Sequence, residues 1–225
     1  MGQSKLAGSN RLLITYISTV SFCSVSLFGE TPIELLPYDG SAILHEWALG
    51  DHKWTDLMHE LTESVSWEAH TIKMFGKEYP QPRLVAWYGD PGSEYSYSGL
   101  KMNVRPWISV VSGLKEIAES FAEVRFNSVL INLYRDGSDK VSWHRDNEPE
   151  LGPTPTIASI SLGAIRRFKF RHLDTREVVE TNLAPGSLVV MSGLSQRCWE
   201  HEIPRQAAIK EPRINLTFRR VRPVG

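Results

Sequence analysis

The hydrophobic rhythm of the chain changes along its length. Between Gly40 and about Ile72, "SAILHEWALGDHKWTDLMHELTESVSW" carries Trp54, Leu57, Met58 and Leu61 at the spacing of one helix face, and Asp51 after Gly50 is placed to start a helix. The segment is predicted as one helix packed on the outside of a sheet. Beyond Met74 the punctuation turns to Gly and Pro clusters such as "GDPGSEYSYSG", and a second helical stretch is predicted near Ser109 to Glu123. Strands then dominate: Ser128 to Tyr134, Ile157 to Leu162, Arg167 to Arg171, Ser187 to Met191 and Ile214 to Arg219. Helices first and strands later predict an α+β, mainly β domain, with an antiparallel sandwich or barrel and the N-terminal helices packed on one sheet.

Two strands have a polar face that needs explaining. In "VLINLYRDG" the side chains of Leu130, Asn132 and Tyr134 share one face, and Val129, Ile131 and Leu133 share the other. In "PRINLTFRR" the apolar Ile214, Leu216 and Phe218 alternate with Arg213, Asn215, Thr217 and Arg219. The apolar set must face a core, so the polar set lies on solvent or walls a polar cavity. An arginine aimed into a cavity is a carboxylate clamp, because its planar fork makes two parallel charge-assisted hydrogen bonds.

The 225 residues are 41% hydrophobic and 23% charged, which fits one globular domain with a sizeable core. A formal net charge of -1 gives no global attraction to phosphate, so a nucleic-acid role must rest on local clusters. Arg166, Arg167, Lys169 and Arg171 form one such cluster. After His201 the tail adds Arg205, Lys210, Arg213, Arg219, Arg220 and Arg222 against Glu202 and Glu211. Cys23 and Cys198 have no CxxC spacing and fit a reducing compartment, cytoplasmic in a bacterium or nuclear in a eukaryote. Leu12 to Phe28 is mildly signal-like, but serines and threonines dilute it and no A-x-A-like site follows, so a strand or arm is expected there. Leu6 stands where a myristoylation motif wants Ser or Thr.

"SWHRDNEPE" carries the chemistry. His144 and Asp146 are two apart, so on an extended segment both point the same way and can chelate one ion. His201 follows the strand "GSLVVM" and lies where a neighbouring antiparallel strand could bring it across as third ligand. Two imidazoles and one carboxylate on one face of an octahedron leave three positions open, as in non-haem Fe(II) oxygenases. His45, His52, His59, His70 and His172 lack such a pattern and read as packing or surface residues.

"PRLVAWYGDPGSEYSYSG", "FNSVLINLYRDGSDKVSWHRDNEPELG", "IASISLGAIRRFKFRH" and "EPRINLTFRR" together resemble the AlkB family of Fe(II)- and 2-oxoglutarate-dependent dioxygenases, over roughly Leu27 to Pro223. The resemblance implies a double-stranded β-helix (jelly-roll) domain at 27–225, with residues 1–26 as an extension. It implies that His144, Asp146 and His201 are the iron triad, catalytic as well as metal-binding. Arg213 is similar to the arginine that binds the C1 carboxylate end of 2-oxoglutarate or braces the metal side, and Arg219 to the one that pairs with the distal C5 carboxylate. Asn132, Tyr134, Asn215 and Thr217 resemble supporting hydrogen-bond donors.

The implied activity is oxidative demethylation of N-alkylated bases, 1-methyladenine and 3-methylcytosine in DNA, with 2-oxoglutarate and O2 consumed and succinate, CO2 and formaldehyde released. The base must be flipped out or already single-stranded. The substrate lid resembles Ile72 to Gly99, where Tyr95, Tyr97 and Ser98 are expected to line the base pocket and Arg83 to contact backbone or pocket. Met74 and Phe75 in "KMFGK" are similar to a wedge that fills the gap left by a flipped base. Arg166 and Arg171 are candidate phosphate contacts. After "HRD" this chain has Asn147 where relatives carry an acid, followed by Glu148, which puts base preference in doubt. The connection from Arg171 to Pro185 is short for gripping a second strand. The partner is therefore expected to be alkylated DNA, single- or double-stranded, or RNA, acted on by a monomer that is neither secreted nor membrane-bound. The alternatives are the same chemistry on RNA, protein or a small molecule, and a non-catalytic binding module.

Overall fold

In chain order the molecule begins with β1 (Ile33–Glu34), β2 (Ser41–His45), α1 (Trp54–Ser64), β3 (Thr71–Met74), β4 (Lys77–Pro80) and β5 (Leu84–Gly89). Next come β6 (Tyr95–Tyr97), β7 (Leu100–Met102), α2 (Ser109–Ala122), β8 (Ser128–Tyr134), β9 (Val141–His144) and β10 (Ile157–Gly163). The last elements are β11 (Arg166–His172), β12 (Val178–Leu183), β13 (Leu188–Ser192), α3 (Ser195–Cys198), β14 (Trp199–Ile203) and β15 (Arg213–Arg219). This computed structural model describes residues 31–222 except 75, 76, 94, 98, 99 and 103, and the side chains of 72–80 and 94–103 also lie outside the described set.

Seven strands pair in the order β1-β2-β13-β10-β15-β8-β5 and four in the order β12-β11-β14-β9, with β3–β4 and β6–β7 as separate hairpins. Every pairing between these strands is antiparallel. Strands distant in sequence interleave, as a jelly roll requires.

Two of the three buried clusters hold the layers together. On one face of the large sheet, Leu61 of α1 and Val111, Leu114 and Ala118 of α2 pack with Ile131, Ile160, Leu188, Leu216 and Phe218. On the other face, Leu44, Ile157, Val189 and Met191 meet Phe168, Phe170, Leu183, Trp199 and Ile203 of the small sheet. The helices thus cover the outside, and the polar faces of β8 and β15 turn toward the space between the sheets. All of β15 is buried, which settles its polar face as a cavity wall and not a solvent face.

The five expected strands form, β8 over the range its alternation predicts and the others within one residue at either end. The single helix expected from Gly40 to about Ile72 does not. Ser41–His45 is a strand that pairs with β13, with Ser192 opposite Ser41 and Leu188 opposite His45. Its own alternation is the reason: Ala42 and Leu44 are buried between half-buried Ser41, Ile43 and His45. The helix starts only at Trp54, with Lys53 and not Asp51 as its N-cap. β5, β9, β12 and β14 are strands beyond the five expected, β9 having four residues and β12 being largely exposed.

Leu216 lies at the centre of β15, is 0% exposed, and faces the helices and not the cavity. Leu216→Ala is expected to lower stability by about 3 kcal/mol, within the range for a large-to-small core change. Urea unfolding measures this, and metal affinity of the folded variant should stay at the wild-type level.

Candidate active site

Strand register makes two of the candidate ligands neighbours. β9 and β14 place His144 directly opposite His201, with ring centroids 4.3 Å apart. Asp146 follows just beyond the end of β9. Its backbone N–H donates to Gln196 Oε1 at 3.0 Å, and Arg219 Nη2 donates to its Oδ2 at 2.8 Å. One ligand atom from each of the three residues lies within 4.8 Å of the others.

The residues fit a ferrous ion. His144 Nδ1 lies 2.9 Å from Ser142 O, and since a carbonyl only accepts, Nδ1 carries the proton and Nε2 keeps a lone pair for metal. Asp146 Oδ1 is buried with no hydrogen-bond partner, a vacant acceptor that a cation would satisfy. Burial pushes the Asp146 carboxyl up, but the Arg219 guanidinium and the two imidazoles outweigh it and hold it at about 2. Burial lowers His144 and, with His144 beside it, brings His201 down to about 3. The three groups are therefore in the ligating state, one ionised and two neutral, at neutral pH.

The triad opens on a narrow cavity between the two sheets, lined by polar and apolar side chains. Arg213 stands fully buried in its wall at the far end of β15 from Arg219. Its Nη2 donates to Ser161 Oγ at 2.8 Å and its guanidinium lies 5.2 Å from the Tyr134 ring centroid. Nε and Nη1 have no hydrogen-bond partner, and no carboxylate of the described residues pairs with this guanidinium. Burial lowers it to about 10, which leaves it charged. A buried cation without an anion is costly, and the vacancy fits a carboxylate end of 2-oxoglutarate.

The cavity takes in all the residues expected to hold the co-substrate, but with different parts to play. Arg219, expected at the distal carboxylate, pairs with Asp146, while Arg213, expected at the C1 carboxylate or metal side, lacks an anion among the described residues. Asn215 has little left to give a ligand, since its Nδ2 donates to Ser159 Oγ at 2.7 Å and Ile160 O at 3.0 Å, and its Oδ1 accepts from Thr217. Asn132 Oδ1 accepts from Arg83 Nε at 2.7 Å, which makes Arg83 a buried part of the cavity wall.

Arg166 is not a phosphate contact. Strand alternation puts it on the same inward face as Phe168 and Phe170, where it is 1% exposed. Its guanidinium donates to the carbonyls of Asp136, Asp139 and Pro204 and to Gln206 Oε1, tying two loops together. Arg171 is also engaged, with Glu200 at 2.6 Å and the Trp143 ring at 4.2 Å. Asn147 is exposed and Glu148 half-buried just past the triad. Phe75 and Ser98 lie outside the described residues, as do the side chains of Met74, Tyr95 and Tyr97, whose backbones belong to the β3–β4 and β6–β7 hairpins.

A second group, Asp39, His172 and Cys198, also places its ligand atoms within 4.8 Å of one another. Thr175 N–H donates to His172 Nδ1 at 3.2 Å, so the ring proton sits on Nε2, facing Asp39 at 3.3 Å. With the Nδ1 lone pair engaged and the proton on Nε2, the neutral ring has no lone pair left for a metal.

The 2OG-Fe(II) oxygenase superfamily profile matches residues 40–219. Mouse alpha-ketoglutarate-dependent dioxygenase alkB homolog 3 is 40% identical over 206 residues, 87% of this chain and 71% of that protein. The chain belongs to the AlkB family of these oxygenases. Mouse DNA oxidative demethylase ALKBH2 is 41% identical over 160 residues, 68% of this chain and 67% of that one. The chain spans 58% to 71% of the length of such mammalian relatives. The solved structure of OsALKBH1 superposes with a TM-score of 0.58 at 18% identity, covering 80% of this chain and 97% of that one, and supports the jelly-roll fold. Iron and 2-oxoglutarate are thus the AlkB-family cofactor and co-substrate. No helix of the described residues is long and apolar enough to cross a membrane.

Two outcomes are expected. Arg166→Ala removes the donors of four hydrogen bonds from a buried site and should cost about 3 kcal/mol in urea unfolding, with nucleic-acid affinity unchanged. For the metal-free protein, His144, Asp146 and His201 all have folded pKa values below their unfolded ones, so the unfolded chain binds more protons in acid. Their stabilisation is complete above about 6.5 and is lost as pH falls toward about 3 and then about 2. Urea midpoints between pH 7 and pH 4 should fall steeply in the wild type and less so in His144→Ala/His201→Ala.

Proposed function

We propose that the protein removes N-methyl groups from alkylated nucleobases in DNA by oxidation, with 1-methyladenine and 3-methylcytosine as substrates. The observation that carries the reading is the buried Arg213 guanidinium without an anion, in the same cavity as a triad of two neutral imidazoles and one carboxylate. The choice of DNA is supported by the relatives named as DNA oxidative demethylases.

His144, Asp146 and His201 would hold the iron, and Arg213, with Ser161 and the Tyr134 ring beside it, would take a carboxylate of 2-oxoglutarate. When bound, iron, 2-oxoglutarate and O2 together supply the oxidising power that hydroxylates the methyl carbon. Arg219 keeps Asp146 ionised and leaves one of its oxygens for the metal. Leu130, Val141, Phe168, Leu183 and Met191 give the cavity an apolar lining that excludes water around the reacting carbon. The N-hydroxymethyl product expels formaldehyde, so no nucleophilic side chain is required of the protein.

The test is demethylation of oligonucleotides carrying either lesion, single- and double-stranded, in DNA and in RNA. Wild type is expected to release formaldehyde and remove the methyl, and His144→Ala to do neither. Arg213→Ala is expected to raise the KM for 2-oxoglutarate about 100-fold, the loss of roughly 3 kcal/mol from a buried charge pair. Turnover of 2-oxoglutarate with every methylated base left intact would overturn the substrate and leave the iron chemistry standing.

A further inference from the structure

Several arginines are neutralised within the fold: Arg105 pairs with Glu68 at 2.6 Å, Arg125 with Glu119 at 2.7 Å, Arg135 with Asp139 at 2.8 Å and Arg171 with Glu200 at 2.6 Å. Arg176 also reaches Glu200, at 3.6 Å, and Arg166 is held by carbonyls. Exposed Arg167 and Arg205 are in no ion pair among the described residues, and neither are four others, Arg145, Arg197, Arg220 and Arg222.

These four lie together, beside the metal site. One surface hollow is lined by Arg145, Asn147, Gln196 and Arg197, and the next by Arg220 and Arg222; Pro155 is common to both. A Cβ on Gly152, which lines the first hollow, would come within 3.2 Å of the Arg222 guanidinium from the second, so the two are continuous. Arg145 sits between His144 and Asp146, Gln196 holds the Asp146 N–H at 3.0 Å, and Arg220 follows Arg219. The backbone under the track is fixed: Arg222 N–H donates to Glu150 O and Val221 N–H to Asn127 Oδ1, both at 2.8 Å. Glu148 and Glu150 are the acids of this stretch and are half-buried, whereas Arg197, Arg220 and Arg222 are exposed.

A row of guanidiniums on fixed backbone, three of the four exposed, matches a row of phosphates. We infer that Arg145, Arg197, Arg220 and Arg222 form a phosphate track that carries the nucleic-acid backbone next to the target base. The inference rests on the function proposed above. It also replaces the Arg166 and Arg171 cluster as the basic surface of a protein whose net charge is -1.

The experiment is the salt dependence of binding, by fluorescence anisotropy, for methylated DNA and RNA oligonucleotides of one sequence. Each phosphate contact removed lowers the slope of log K against log salt by about 0.7 on a single strand and about 0.9 on a duplex. Arg197→Ala/Arg222→Ala is expected to lower it by about 1.4 or about 1.8 with either sugar, and Arg125→Ala/Arg176→Ala to leave it unchanged. Thermal midpoint and cobalt(II) affinity of the first variant should match wild type, separating lost contacts from lost fold. An unchanged slope in a variant of an oligonucleotide-binding wild type overturns the track and leaves the proposed activity standing. A wild type that binds no oligonucleotide overturns both.

Discussion

The contact between Arg219 and Asp146 is the constraint on which the site depends. A carboxylate only 1% exposed cannot stay ionised on its own, and metal ligation needs it ionised. Arg219, itself 3% exposed, supplies the compensating charge at 2.8 Å through one oxygen and leaves the other vacant. The pair also spans the layers. Arg219 ends β15 in the large sheet, and Asp146 follows β9 in the small one, so one ion pair sets both the charge of the ligand and its position between the sheets. Gln196 fixes the Asp146 backbone from a third direction, which leaves the carboxylate little freedom to follow any other cation.

β15 joins the core to the chemistry. Ile214, Leu216 and Phe218 pack in the core beneath the helices, and Arg213, Asn215, Thr217 and Arg219 face the cavity. Between the two arginines the polar groups satisfy one another, Thr217 to Asn215 and Asn215 to Ser159, so the middle of the wall makes no strong demand on a ligand. The unmet demand lies at its two ends, an acceptor beside Arg219 and a donor pair on Arg213. A dicarboxylate that chelates a cation at one end and meets a guanidinium at the other satisfies both, which a monocarboxylate cannot.

Much of this was legible in the sequence, because period-two alternation and the H-x-D pair are local signals. The strict alternation in β8 and β15 identified the cavity face, and His201 arrives where an antiparallel neighbour was expected to bring it. Which arginine meets Asp146 was not legible: alternation gives the face of a strand but not which end of it another element reaches. That is decided by the chain after β9, which brings Asp146 to Arg219. The burial of Arg166 was readable and passed over, since Phe168 and Phe170 sit two and four residues on along the same face. β2 was hidden because its five residues precede a real helix, and apolar positions on both sides of Gly50 were assigned one period.

The distribution of charge follows from the same economy. Away from the cavity, several guanidiniums are matched to carboxylates, as at Glu119, Asp139 and Glu200. A near-neutral total therefore does not mean an evenly neutral surface. Four arginines without an ion pair gather next to the triad, where Arg145 separates His144 from Asp146 and Arg220 follows the residue that braces Asp146. Screening confines an exposed charge to about 10 Å at moderate salt, so attraction of a polyanion depends on where the unmatched arginines lie more than on the net charge.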